Sequence, residues 1–309
     1  MNVLVTGATG FIGRHLVRRL SELGGYNIFC LVRNPKKAET LKPLGVQFVY
    51  ADITDKGSLE KVLEYKIDLV FHCAAYVDNK PLELLQKANV EGTENVCELC
   101  LKLGIERLVY LSSVAVICGN DEVPLTEDLP YKATNPYGES KIKAEKIVLE
   151  YRKKGLQSVI IRPPMVYGED EPHALKFLLY LLKLRLFPLI GKAENKFHLV
   201  YVENVVEVMI FSLGKKEFLE RTFFIADKEV LSTRQAFTIL SKAIGAMPPL
   251  TIPNFLKPLL LSLPYIGRKL RTLSRDNVYS IEKIQSLNFT PPYSGQESLI
   301  RSAQYLLKK

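Results

Sequence analysis

Val3-Leu4-Val5-Thr6-Gly7-Ala8-Thr9-Gly10-Phe11-Ile12-Gly13-Arg14 is the stretch that decides the fold. The apolar run 3–5 is long enough only for a brief buried strand. Helical spacing of apolar residues then begins at Phe11 and Ile12 and continues through Leu16, Val17 and Leu20. Gly7, Gly10 and Gly13 stand between and within these elements. Strand, glycine turn and helix in that order are the context a dinucleotide fingerprint requires. Gly7 allows the tight turn, Gly10 lets the backbone approach a pyrophosphate, and Gly13 lets the helix pack against the strand. The N–H groups of the turn and helix start, from Thr9 through Phe11, Ile12 and Gly13, then face phosphate, favoured by the helix dipole.

Downstream, short continuous apolar runs at 27–32, 46–50, 68–73, 107–111 and 157–161 read as strands. Helical patterns at 36–42, 58–64, 82–103 and 136–154 separate them. Such alternation specifies an α/β fold, a Rossmann-type doubly wound parallel sheet covered on both faces. Asn135-Pro136 is a helix start, with Asn as cap and Pro in the first turn. Beyond residue 163 the alternation loosens. Helices are expected at 173–184, 203–213 and 233–244 and a strand at 221–226. The chain therefore divides into 1–163, a dinucleotide domain, and 164–309, mainly a smaller substrate-binding portion with some segments returning to the sheet.

Composition excludes several function classes. No apolar stretch reaches the ~20 residues of a membrane span, because Lys183, Arg185, Pro188, Lys257, Pro258 and Pro264 interrupt the longest ones. No signal peptide is expected, since the first strand already carries the glycine turn. The net charge is +9. Part of the excess follows the apolar run 255–266 as Arg268, Lys269, Arg271 and Arg275. This cluster reads as the rim of a substrate-domain helix pair rather than a membrane-surface patch, because prolines break any long amphipathic face. Net charge alone does not make a nucleic-acid site. The five cysteines have neither disulfide nor metal spacing and fit a reducing, cytoplasmic compartment.

In a doubly wound sheet, ligands bind at the carboxyl ends of the strands. Arg33, Asp52, Ala74, Ser113 and Arg162 hold those places. An NAD site usually has Asp or Glu after the second strand, to accept from the ribose 2′-OH. Here Arg33 stands there, with Lys36 and Lys37 behind it and Arg14 at the first helix. An arginine fork suits a 2′-phosphate, so NADP is favoured and NAD is the alternative. Tyr137 and Lys141 lie four apart and share a helix face. An ammonium beside a phenol favours the phenolate, making Tyr137 usable as an acid–base group near neutral pH. Ser113 can hydrogen-bond the same substrate oxygen. His72 reads as a packing or hydrogen-bonding residue and His173 as a minor candidate near the substrate.

With these pieces in order, the chain resembles the extended short-chain dehydrogenase/reductase family, also called the NAD-dependent epimerase/dehydratase family. The likeness rests on residues 6–13, Asp52-Ile53, His72-Cys73-Ala74-Ala75, Asn89-Val90-Glu91-Gly92-Thr93, Leu111-Ser112-Ser113, 137–141, Arg162-Pro163-Pro164-Met165-Val166-Tyr167-Gly168 and 201–205. It implies Tyr137 as general acid/base, Lys141 on the nicotinamide ribose and Tyr137, and Ser113 polarising the substrate oxygen. It implies Asp52 and Ile53 at the adenine end and Ala74 and Ala75 along the cofactor, with Arg162, Pro163 and Met165 added to the cofactor set. It also implies a homodimer through helices 82–103 and 136–154. Val114-Ala115 stands where the family's dehydratases carry Asp-Glu, and where its epimerase-reductases carry a Cys two residues past the Ser, so neither chemistry is expected. The expected function is an NAD(P)-dependent interconversion of a secondary alcohol and a ketone in a small-molecule substrate. A nucleotide-sugar 4-keto reductase and a 3β-hydroxysteroid or dihydroflavonol-type reductase are the two forms considered. The alternative is a nucleotide-sugar 4-epimerase holding NAD.

Overall fold

Side chains alternate along the first strand: Val3 and Val5 enter one apolar layer, Leu4 the other, and all three are fully buried. That double burial is why strands β1 (Asn2–Thr6), β2 (Asn27–Val32), β4 (Leu69–His72), β5 (Arg107–Leu111) and β6 (Ser158–Arg162) read as unbroken apolar runs. The computed structural model describes residues 1–105, 107–172, 175–256 and 276–308. With β3 (Gln47–Tyr50) and β11 (Thr222–Phe224), these strands form a seven-stranded sheet in the order β11-β6-β5-β4-β1-β2-β3. Every pairing in it is parallel. The strand order reverses between β1 and β4, where a doubly wound sheet opens its ligand crevice.

One face of the sheet is covered by α1 (Phe11–Leu23) and α8 (Val202–Phe211). The other is covered by α5 (Gly92–Lys102) and α6 (Pro136–Lys153). α6 begins as its sequence predicts, with the Asn135 side chain accepting from the Gly138 N–H at 2.8 Å and Pro136 in the first turn. The remaining chain builds a second apolar cluster around Leu179, Leu182, Tyr201, Phe237, Leu240 and Leu299, from α7 (Leu175–Lys183), α9 (Thr233–Ala243) and the C-terminal helix Gly295–Lys308.

The differences from expectation are local. The helix expected over 82–103 is a turn of α-helix at Leu82–Leu85, a π-turn at Gln86–Glu91 and then α5. The wider turn accompanies the inward hydrogen bonds of Asn89 described below. The helix expected over 36–42 is α-helical only at Pro35–Ala38, and Pro43 lies in the 3-10 turn Glu39–Leu44 that follows. Among the described residues, no helix is long and apolar enough to cross a membrane. His173, most of the 255–266 run and the basic cluster 268–275 lie outside the described residues.

Candidate active site

The glycine turn leaves no room for side chains. Gly7 has φ +69°, and a Cβ there would lie 2.6 Å from the Ala74 nitrogen. A Cβ on Gly13 would lie 2.1 Å from the Gly7 oxygen, so α1 packs on the strand end only because residue 13 is glycine. The Gly10 N–H donates to Gly7 O at 2.8 Å. The first turn of α1 has neither a side-chain cap nor an acidic residue, so its dipole is left for an anion from outside the chain. A cleft of about 680 Å³ opens here, between Gly7, Thr9 and Gly10, the β2 end at Arg33, Asn34 and Lys37, Asp52 and Ile53 after β3, and Cys73, Ala74 and Ala75 after β4. These residues fit a dinucleotide. Phe11 and Ile12 pack their side chains into the neighbouring apolar cluster, which leaves only their backbone to face the turn.

A row of hydrogen bonds fixes the β4 side of the cleft. The Ala74 N–H donates to Thr6 Oγ1 at 3.3 Å, and Thr6 Oγ1 lies 2.7 Å from His72 Nδ1. His72 Nε2 lies 3.1 Å from Thr93 Oγ1, whose hydroxyl donates to Asn89 O at 2.6 Å. Thr93 therefore accepts from Nε2–H, and Thr6 donates to Nδ1. Burial, aided by the Lys141 charge, pushes the His72 pKa down to about 3, so the ring is neutral.

Tyr137 and Lys141 lie one turn apart on α6, and Ser113, two residues past β5, caps the 3-10 turn Val114–Val116. Ser113 is hydrogen-bonded to the Tyr137 side chain and accepts from the Ala115 N–H at 3.2 Å. Lys141 is 1% exposed. Its ammonium donates to Leu111 O at 2.8 Å and lies 4.5 Å from the centre of the Tyr110 ring. Burial lowers the Lys141 pKa to about 8, opposed by the charge of Glu145. The expectation that the ammonium draws the Tyr137 phenol down is not met in this geometry. Burial pushes that phenol up to about 12, and the Ser113 bond works the other way. The Lys141 charge is taken up by a carbonyl and a ring face.

Asn89, on the π-turn, has a role that its sequence context does not signal. Its side chain donates to Tyr76 O at 2.9 Å and Ser140 Oγ at 2.8 Å and accepts from the Tyr76 N–H at 2.7 Å. It thereby ties the loop after β4 to the helix bearing Tyr137. Lys87, also on the π-turn, lines the cleft beside Leu84 and was not singled out either. A single asparagine or lysine in a helical pattern carries no sign of such a turn.

Arg162 is taken up by a partner inside the protein. It does not line the cleft. It is buried and makes a forked ion pair with Glu145 on α6, Nε–Oε1 2.9 Å and Nη2–Oε2 2.6 Å. It also donates to Glu127 O at 3.1 Å, while the Tyr131 hydroxyl donates to Glu145 at 2.8 Å. Burial disfavours the Arg162 cation, yet the Glu145 carboxylate outweighs this and holds its pKa above the usual value. Arg14 donates to Thr9 O at 3.3 Å and pairs with Asp170 at 3.6 Å. Pro163 O accepts from the Val114 N–H at 3.1 Å, and Met165 is 62% exposed. Arg33 stays at the cleft mouth, 70% exposed and 3.4 Å from Asp52. An exposed pair of this kind is worth about 0–1 kcal/mol, little enough to exchange for a phosphate. Among the described residues, no group of three or more His, Cys, Asp or Glu is placed to hold a metal ion.

The profile described as NAD dependent epimerase/dehydratase family matches residues 3–226. The chain belongs to that family. As a family member it is an enzyme of nicotinamide-dinucleotide chemistry built on a Rossmann-like sheet. It is 28% identical to the UDP-glucose 4-epimerase of Vibrio cholerae over 99% of this chain and 96% of that one. It is 35% identical to the decarboxylating sterol-4-alpha-carboxylate 3-dehydrogenase of Mus musculus, over 65% of this chain and 56% of that protein. Among solved structures, the Thermus thermophilus UDP-glucose 4-epimerase in complex with NAD superposes with a TM-score of 0.78 at 25% identity, covering 99% of both chains.

Proposed function

We propose that this family member is an NADP(H)-dependent oxidoreductase that interconverts a secondary alcohol and a ketone. The observation that carries the reading is the β2 end of the cleft, where Arg33, Asn34 and Lys37 follow the strand in place of a carboxylate and the nearby Asp52, after β3, is paired with Arg33. A carboxylate there would repel a 2′-phosphate, whereas an exposed guanidinium and ammonium attract one. A cofactor chosen for its 2′-phosphate suits net reduction or oxidation, in which it must exchange at each turnover.

The dinucleotide, when bound, supplies or accepts the hydride. Tyr137 holds the proton that the substrate oxygen gains on reduction and takes it back on oxidation. Its high pKa keeps it protonated at neutral pH, the form that donates. Ser113, bonded to the same phenol, orients it and shares the substrate oxygen. Lys141, one turn along the same helix, offers a donor for the nicotinamide ribose. Residues 164–309 mainly shape the substrate side, and residues 1–163 hold the cofactor. The protein is read as cytoplasmic and as a homodimer through the helices at 82–102 and 136–153. The exposure of Leu82 supports the pairing.

A second reading, a nucleotide-sugar 4-epimerase with retained NAD, has its own support: the Vibrio epimerase aligns over nearly the whole length of both chains. Titration of the purified protein with NADPH and NADH, followed by turnover of 4-keto sugars, UDP-sugars, steroids and dihydroflavonols, separates the two. Preferential NADPH binding and consumption of NADPH with a ketone are expected. Copurifying NAD and UDP-sugar turnover without added cofactor would replace the first reading by the second.

A further inference from the structure

Helix α7 buries one side and leaves an equally apolar side in water. Leu179 and Leu182 are 0% and 1% exposed within the second apolar cluster. On the outside, Phe177, Tyr180 and Leu184 follow at helical spacing and are 67%, 46% and 65% exposed. A helix apolar on all sides normally has an apolar partner on each. Arg185 adopts φ +58° and turns the chain, after which Leu186 also points outward.

A second segment continues this surface. Arg185 Nη1 lies 3.5 Å from the sulfur of exposed Met247. The Leu189 N–H donates to Leu250 O at 2.8 Å, beginning the parallel pairing of β8 (Leu189–Ile190) with β13 (Thr251–Ile252). Phe255, 78% exposed, follows β13. The charge of both segments has one sign. Residues 172–193 contain Lys176, Lys183, Arg185 and Lys192 and residues 230–256 contain Arg234 and Lys242, six basic residues, while the acidic residues Glu171, Glu194 and Glu229 stand only at their ends.

We propose that this face seats on an anionic lipid bilayer. Apolar side chains at its centre enter the headgroup–acyl boundary, while the long stems of Lys176, Lys183 and Arg185 carry their charges to the lipid phosphates. The charge argues for lipid over a second copy of the chain. A self-complementary contact would bring two faces of net positive charge together, with carboxylates only at their margins.

The test is co-sedimentation of the full-length protein with vesicles of phosphatidylcholine containing about 30% phosphatidylglycerol, and with phosphatidylcholine alone, at low and high salt. Binding to the anionic vesicles, weakened by salt, is expected. Phe177→Glu/Leu184→Glu should lower it at least tenfold, and Lys176→Gln/Lys183→Gln several-fold, with NADPH binding unchanged in both. No binding by the wild type, or equal binding by Phe177→Glu/Leu184→Glu, overturns the proposal. So does a smaller sedimenting species for that variant, which would make the face a contact between copies. A lower urea midpoint for that variant would show the face covered by the chain itself, and overturns it too.

Discussion

Arg162→Met separates the two roles an arginine at this strand end can have. In the structure Arg162 is committed to Glu145, through two charge-assisted bonds of 2.9 and 2.6 Å between side chains 5% and 0% exposed. Methionine fills much of the same space, so little cavity forms. The loss is electrostatic: among the described residues, the buried carboxylate keeps the Tyr131 hydroxyl at 2.8 Å, with the charges of Lys141 and Arg152 acting on it without a hydrogen bond. Removing one partner of such a pair costs about 3–5 kcal/mol. The chain has no Trp, so urea unfolding is followed by circular dichroism. With a urea slope of about 3 kcal/mol/M, the midpoint should fall by about 1 M or more. Replacing Glu145 by Leu in the same background should recover most of that loss, because the uncompensated charge is then gone. NADPH affinity of the folded variant should remain within about threefold, or ~0.7 kcal/mol, of the parent. An unmoved midpoint together with a tenfold weaker NADPH complex would refute the reasoning and return Arg162 to the cofactor site.

Tyr137→Phe should lower turnover by about 10²–10⁴ and leave the NADPH titration unchanged, and full activity in a steady-state assay would remove the proposed proton donor. Lys141 loses its proton near pH 8 rather than 10.5, so kcat/KM should decline above about pH 8. The unfolded chain keeps that proton longer, so the lysine's contribution to stability rises over the same window, and an alkaline limb only beyond pH 10 would contradict the assignment. Asp227 is pushed up to about 7 by burial, against the opposing bonds from Asn204 and Tyr167, so its contribution to stability falls as pH rises from about 4 to 7. Asp227→Asn can still accept from the Tyr201 N–H and from Asn204, and should match the parent at pH 4 in urea unfolding and equal or exceed it at pH 8.

The sheet was legible because double burial writes itself as continuous apolar runs, and the glycine turn because its sterics exclude every other residue. The Asn135-Pro136 start was legible for the same local reason. What was not legible depends on partners distant in sequence. Arg162 after a strand looks alike whether it meets a phosphate or a carboxylate, and only the packing of α6 brings Glu145 to it. The Tyr137–Lys141 spacing gives a shared helix face but not the direction of the ammonium, which Leu111 O and the Tyr110 ring determine. The π-turn that carries Asn89 and Lys87 has no periodicity of its own across six residues.

The strand β11 has a consequence for how the chain can be divided. It comes from the later portion, yet it pairs Thr222, Phe223 and Phe224 with Ile160, Ile161 and Arg162 of β6, and both phenylalanines are fully buried. A fragment ending near residue 163 would thus be left with an open sheet edge. Its terminal strand would present unpaired N–H and C=O groups along Ser158-Val159-Ile160-Ile161, an apolar template for joining another molecule. Such a fragment, though it holds the entire glycine turn, is expected to self-associate rather than behave as a free-standing nucleotide domain.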